Sequence, residues 1–147
     1  MNDNYKNGSM SPLLFDTPEQ ARAAAEAGDP NVITIYPSIA KAFGLNTAIF
    51  LGYLHTELIQ IERNKGNGTI DEKGRPWFRQ SLSNIVSEPD DLRCLGLEQR
   101  EFKAVRSKLI RKGILLYRED PTEGFKGGVN SFYSINYKKL RKVLNTN

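Results

Sequence analysis

From Thr47 to Asn64, apolar side chains recur at the spacing of one broad helical face: Ile49, Phe50, Tyr53, Leu54, Leu58 and Ile61, widened by Leu51 and Ile59. The spacing predicts a central buried helix, capped by Asn46 and ended by Gly66-Asn67-Gly68. Upstream, Val32 to Tyr36 is a short β-branched run, and Pro37 opens a brief helix that Gly44 closes. Downstream, Thr69 to Asp71 and Arg75 to Phe78 predict a small hairpin turning at Glu72-Lys73-Gly74. Leu82, Ile85 and Val86, at i, i+3 and i+4, mark a short helix that Pro89 terminates. Glu98 to Lys112 predicts a strongly amphipathic helix stopped by Gly113, with Phe102, Val105 and Leu109 on its apolar side and Ile110 on the flank. A wheel at about 100° per residue puts Arg100, Lys103, Ala104, Ser107 and Arg111 on the opposite face. Ile114 to Glu119 and Ser131 to Tyr137 then predict two strands, joined by the loop Asp120 to Asn130 with Pro121 and three glycines. A last helix, Tyr137 to Leu144, buries Leu140, Val143 and Leu144 and exposes Lys138, Lys139, Arg141 and Lys142.

The N-terminal stretch reads differently. Met1 to Ser11 is rich in Asn, Gly, Ser and Lys and predicts a disordered tail. Thr17-Pro18-Glu19-Gln20 combines a capping hydroxyl, proline at the first helical position and glutamine three residues after the cap. It precedes an alanine-rich run stopped by Gly28 and Pro30, so a helix is expected over about Pro18 to Ala27. Alanine alone gives a weakly packing face, and a helix this short is marginal in water. Residues 1–31 are accordingly expected to form a tail plus an appended helix, and residues 32–147 the domain proper.

Composition narrows the class. The 147 residues are 39% hydrophobic and 26% charged, as in a soluble globular domain with a hydrophobic core. The longest apolar stretch, Ala48 to Leu54, is too short to cross a bilayer, and Met1 to Met10 lacks the apolar segment of a secretory signal, so a cytoplasmic location is expected, with no membrane partner. Cys94 is the only cysteine and His55 the only histidine, which excludes an intrachain disulfide and argues against most zinc sites and histidine-dependent triads. No glycine-rich phosphate loop is present either, so neither an enzyme nor a cofactor is expected. Charge is uneven along the chain. Residues 1–92 hold 8 Lys and Arg against 12 Asp and Glu, and residues 93–147 hold 13 against 5, so a balance of −4 precedes one of +8. Two readings fit this asymmetry: a face that meets a polyanion, or an uneven solvated surface.

Short helix, tight connection, amphipathic basic helix and two-stranded hairpin follow one another in the order of a winged helix-turn-helix. The expected fold is thus α+β, mainly helical, a winged helix-turn-helix with an N-terminal helical extension. One α-helix fits the major groove, where cationic side chains neutralise phosphates and read guanine edges. The hairpin would be the wing, with Lys126 near its tip between Gly124, Gly127 and Gly128; Lys126 also reads as an ordinary solvated loop lysine.

Four segments in order carry a family resemblance. The run from Ile35 to Leu51, Ile35-Tyr36-Pro37-Ser38-Ile39-Ala40-Lys41-Ala42-Phe43-Gly44 and onward, with Leu54-His55 after it, resembles the opening of the winged-helix domain of phage and plasmid replication initiators and replisome organisers. Gly74-Arg75-Pro76-Trp77-Phe78 is similar to that domain's hairpin, Lys108-Leu109-Ile110-Arg111-Lys112-Gly113 to its recognition-helix end, and Phe132 to Leu140 to its closing strand and helix. The resemblance covers roughly Val32 to Leu144. It implies binding of double-stranded DNA, often at an origin or operator, without enzymatic activity, and it makes His55 part of a fold-defining Leu-His pair. Arg106 departs from the pattern, standing beside Phe102 and Leu109 where an aliphatic residue is usual; it is expected to snorkel or pair with an acid rather than read bases.

The candidate DNA-contacting residues are therefore Arg100, Lys103, Ser107, Arg111 and Lys126, with no catalytic residue and no metal. His55 is expected as a buried, hydrogen-bonded core histidine. Cys94 reads as a small packing residue or, if exposed, a redox-sensitive thiol. Glu88, Asp90 and Asp91 form a solvated turn or, with a substrate phosphate, a metal site. Lys138 to Lys142 either reach a DNA backbone or solvate the last helix. The function expected is site-specific duplex binding in replication of a mobile element. A transcriptional regulator, or a winged helix that docks on a replication or host protein, are the alternatives, and a dimer is compatible with any of them.

Overall fold

Helix α1 (Pro18–Ala27) starts and stops on local signals. In the computed structural model, which describes residues 15–29, 32–81, 95–121 and 129–145, Thr17 Oγ1 accepts from the Gln20 amide at 3.2 Å. Gln20 Oε1 accepts from the Asp16 amide at 2.7 Å, closing the N-terminus one residue earlier than an ordinary capping box. Gly28, at φ 81°, and Asp29 donate back to Ala25 and Ala24. None of the helix's residues is buried, as its alanine face predicts. It belongs to one compact unit, residues 1–33; residues 34–147 form the other.

Residues 32–36 form no strand, and within the second unit Pro37 begins α2 (Pro37–Phe43). A single residue then separates α2 from α3 (Leu45–Glu62). Gly44 donates to Ala40 O at 2.8 Å and its carbonyl accepts from the Ala48 amide at 3.1 Å, ending one helix and starting the next. Its φ of 97° and ψ of 162° lie in a region essentially restricted to glycine. Asn46 consequently sits inside α3 and is not its cap, contrary to the sequence expectation. The other end also differs: Asn64, at φ 61°, donates to Ile61 O and Lys65 donates to Gln60 O, so the helix closes on a left-handed asparagine before the glycines are reached. Phe50, Leu51, Leu54, Leu58 and Ile61 are buried along α3 and make it the spine of the core.

Strands β1 (Gly68–Ile70) and β2 (Pro76–Ser81) pair as the expected hairpin. Asp71 builds the turn: its Oδ1 accepts from the Lys73 and Arg75 amides, both at 2.9 Å, and its Oδ2 from Trp77 Nε1 at 3.0 Å. Helix α4 (Gln99–Arg111) follows, with the Glu98 amide donating to Glu101 Oε1 at 2.8 Å. It ends at Gly113, where the Gly113 and Ile114 amides return to Ile110 and Leu109. Strands β3 (Leu115–Pro121) and β4 (Val129–Ile135) pair up to Pro121 opposite Val129, so the strands take over both ends of the stretch expected as a loop. The second strand stops at Ile135, two residues short of expectation, because Asn136 caps α5 (Tyr137–Asn145) through Oδ1 and the Lys139 amide.

The described residues thus form an α+β fold of five helices and one four-stranded antiparallel sheet in the order β1-β2-β4-β3. Phe78, Tyr133, Ile135 and Leu115 join the core with α3 and α4. Strand alternation sends Trp77, Phe132 and Arg118 to the other face, where the Arg118 guanidinium lies 4.5 Å and 5.1 Å from the two ring centroids. No described helix is long and apolar enough to cross a membrane. The expected helix at Leu82 to Val86, the acidic residues Glu88, Asp90 and Asp91, Cys94 and the loop tip with Lys126 lie outside the described residues, as does the tail Met1 to Ser11.

Candidate nucleic-acid interface

Three side chains set the rotation of α4 about its axis. Phe102, Val105 and Leu109 are buried, and the Phe102 ring meets that of Phe50 on α3 edge-on, with centroids 5.6 Å apart. With that ridge turned inward, Arg100, Lys103, Ala104, Ser107 and Arg111 are all exposed and share the outward side of the helix. None of these five is acidic. Arg100 approaches Glu98 Oε1 at 3.7 Å, but both side chains are mostly in water, so the pair holds the guanidinium only weakly.

The other cations of α4 have different partners. Arg106 is half-buried, with its guanidinium 4.7 Å from the centroid of the Tyr117 ring. It therefore finds an aromatic face where the sequence left snorkelling or an acid open. Lys108 donates from Nζ to Phe43 O at 3.3 Å and ties α4 to the end of α2. A groove of about 430 Å³ lies beside it, between the α2–α3 junction and α4, with the exposed Leu45 and Ala104 on its walls.

The last helix carries a further set of cations, as its periodicity predicts. Lys138, Arg141 and Lys142 are exposed, and α5 contains no acidic residue. Lys139 is half-buried: a methyl group placed on Gly113 would lie 3.7 Å from Lys139 Cε and 3.9 Å from Cγ. The Lys139 stem thus passes close to Gly113, the residue just beyond the end of α4. In the sequence Gly113 signals the helix stop, which its φ of 75° explains, and names no neighbour.

His55 is half-buried rather than buried in the core, which corrects that expectation, while its hydrogen bonding is as expected. Its Nδ1 lies 2.8 Å from the Tyr137 hydroxyl, and its ring meets those of Tyr36 and Tyr137 edge-on at 6.2 Å and 5.6 Å. Burial holds the imidazole pKa below its ordinary value, against a smaller opposing pull from the Glu62 carboxylate. Burial likewise pushes the Tyr137 phenol up to about 12. At the opposite end of the sheet, Tyr117 donates its hydroxyl to Glu119, whereas the buried Ser131 Oγ and Tyr133 hydroxyl have no hydrogen-bond partner among the described residues. Three or more His, Cys, Asp or Glu side chains gathered as a metal site do not occur among the described residues.

No protein-family model, curated protein or solved structure matches this chain in comparisons with all three.

Proposed function

We propose that the chain is a winged helix-turn-helix protein that occupies a site on duplex DNA, with α4 in the major groove and the β3–β4 hairpin against adjacent backbone or minor groove. The observation that carries this reading is the outward face of α4: Arg100, Lys103, Ser107 and Arg111 exposed together, without an acidic side chain among them, on a helix whose apolar ridge is locked into the core. Strand order supports the fold. β2 precedes α4 in the chain yet lies beside β4, giving β2-β4-β3, so the basic helix leads directly into the two-stranded hairpin at the sheet's edge. The likeness in segment order to phage and plasmid replication initiators favours replication over transcription as the setting.

The decisive experiment is salt dependence on random and selected duplexes. With several phosphates neutralised, the logarithm of affinity falls linearly with the logarithm of salt, at about −0.9 per phosphate contact. A slope near zero would overturn duplex binding and favour the docking of α4 on a protein partner instead.

A further inference from the structure

A second concavity, of about 400 Å³, opens between the C-terminal half of α3, the β1–β2 turn and the start of α5. It is separate from the α4 face. The groove beside α4 uses α3 up to Thr47, whereas this cleft uses α3 from His55 to Glu62. At 1.5 Å per residue, Thr47 and His55, where the two linings come nearest on α3, are about 12 Å apart along the helix axis.

The lining divides into three chemical parts. Leu58 and Ile135, each 1% exposed, give it an apolar floor together with Pro76. His55 and Tyr137, bonded to each other, form an aromatic wall. Lys73, Arg75 and Glu62 supply its charges. The cations stand on a turn held from within: Asp71 accepts from two backbone amides of the turn and from the Trp77 indole, and these bonds keep its carboxyl below the usual carboxylate range. Arg75 is further anchored by donating from Nη1 to Ile135 O at 3.1 Å. That bond uses one of five guanidinium N–H groups and restrains the group beside the cleft. Arg75 is half-buried; its nearby countercharge is the Asp71 carboxylate, which accepts from the Arg75 amide rather than pairing with the guanidinium. A partly buried guanidinium restrained on a cleft with an apolar floor and an aromatic wall matches an acid carried on a flat apolar body. Glu62 sets the ligand's charge. Its carboxylate on the same lining repels a dianion more than a monoanion, which disfavours a phosphate monoester.

We propose that this cleft binds a small, planar, monoanionic carboxylate, its ring against His55 and Tyr137 over the apolar floor and its carboxylate on Arg75 and Lys73. The proposal does not depend on the DNA reading, and its test contains no DNA.

The test uses the full chain, isotope-labelled and titrated with benzoate, with the uncharged isostere benzamide and with inorganic phosphate, following backbone amide shifts. Benzoate should produce saturable shifts confined to residues 73–76 and to those around His55 and Tyr137, with a dissociation constant on the order of 1 mM, as expected for so small a ligand. Benzamide should bind at least about tenfold more weakly, and phosphate should give no saturable shift there. Arg75→Gln should weaken benzoate by about tenfold or more. Because Arg75 also holds Ile135 O, Lys73→Gln is the second variant: it leaves that bond intact and should weaken benzoate severalfold with an unchanged melting temperature. Absence of saturable shifts at these residues, equal binding of benzamide, or wild-type benzoate affinity in Lys73→Gln would each overturn the proposal.

Discussion

Arg106 and Arg111 stand five positions apart on one helix and have different environments. The buried ridge of Phe102, Val105 and Leu109 turns Arg106 toward Tyr117 and leaves Arg111 in water. Arg106→Ala should therefore lower stability by about 0.5–1 kcal/mol, the scale of an exposed cation–π contact, and leave sequence preference on DNA unchanged. Within the outward face, Arg100 lies in the N-terminal half of α4, the part that reaches base edges in helix-turn-helix complexes, and Arg111 lies at the last turn. Arg100→Ala should cost about 1–3 kcal/mol on the preferred site and little elsewhere, whereas Arg111→Ala should weaken all sequences alike. Binding measured on selected and scrambled duplexes separates the two, and equal changes in the specificity ratio would refute the assignment. His55 gives a pH prediction. Burial lowers its folded pKa, so the fold favours the neutral ring; its contribution is complete above the unfolded value of about 6.5 and is lost as pH falls from there through the lowered folded pKa. The melting temperature should drop more between pH 7 and pH 5 in the wild type than in His55→Phe, and parallel curves would exclude His55 as the source.

Two glycines show how the elements are joined. Gly44 has open space around it, so Gly44→Ala meets only the backbone penalty at φ 97° and should destabilise by about 1–3 kcal/mol without disturbing its neighbours. Gly68 is the reverse case. Its backbone is unstrained, but an added Cβ would lie 2.0 Å from Trp77 O and 2.5 Å from Ile61 Cδ1, so β1 must move away from β2 and α3. Gly68→Ala should cost at least as much, through overpacking, and should also shift the fluorescence of Trp77, the only tryptophan. Thermal unfolding with tryptophan emission on both variants checks this; an emission change in Gly44→Ala but not in Gly68→Ala would contradict it. Most of these elements were readable from the sequence. Thr17, Pro37 and Gly113 act within one helical turn, and the hairpin around Glu72-Lys73-Gly74 is equally local. Asn46 carries a capping residue's chemistry next to the apolar run, but the helix starts one residue earlier, at a backbone conformation open to Gly44. Asn64 gives only a weak local stop signal, because asparagine occupies the left-handed region more rarely than the glycines that follow it.

At the scale of the whole molecule a second set of cations stands on α5. The Lys139 stem passes close to Gly113, just beyond the end of α4, and Lys138 and Lys142 are exposed. Under the DNA reading these two lysines neutralise backbone phosphates. Their joint replacement by Gln should reduce the steepness of the salt dependence by about 0.9 for each phosphate no longer neutralised, and leave base preference unaltered. Salt titration of the double variant against the wild type is the measurement. An unchanged slope would leave α5 as a solvated helix, the alternative that its charge pattern also allows.

By itself the sequence determined, for most of the described elements, that a stretch is helix or strand and which of its sides is apolar. Those properties follow from steric and hydrogen-bonding rules acting over a few residues, and from the period of the hydrophobic pattern. Tertiary structure alone decided what covers each apolar side and which polar groups meet. Ser134 bonds to Pro76 O across 58 residues of chain, and β2 lies beside β4 rather than standing with β1 as an isolated hairpin. Lys108 reaches Phe43 O, and the Lys139 stem lies against Gly113. His55, Tyr137 and Arg75 come to line one cleft although they derive from a helix, a second helix and a turn. Periodicity records the side of an element that avoids water. It carries no record of the partner, because apolar burial is non-directional and is satisfied by any surface that packs well.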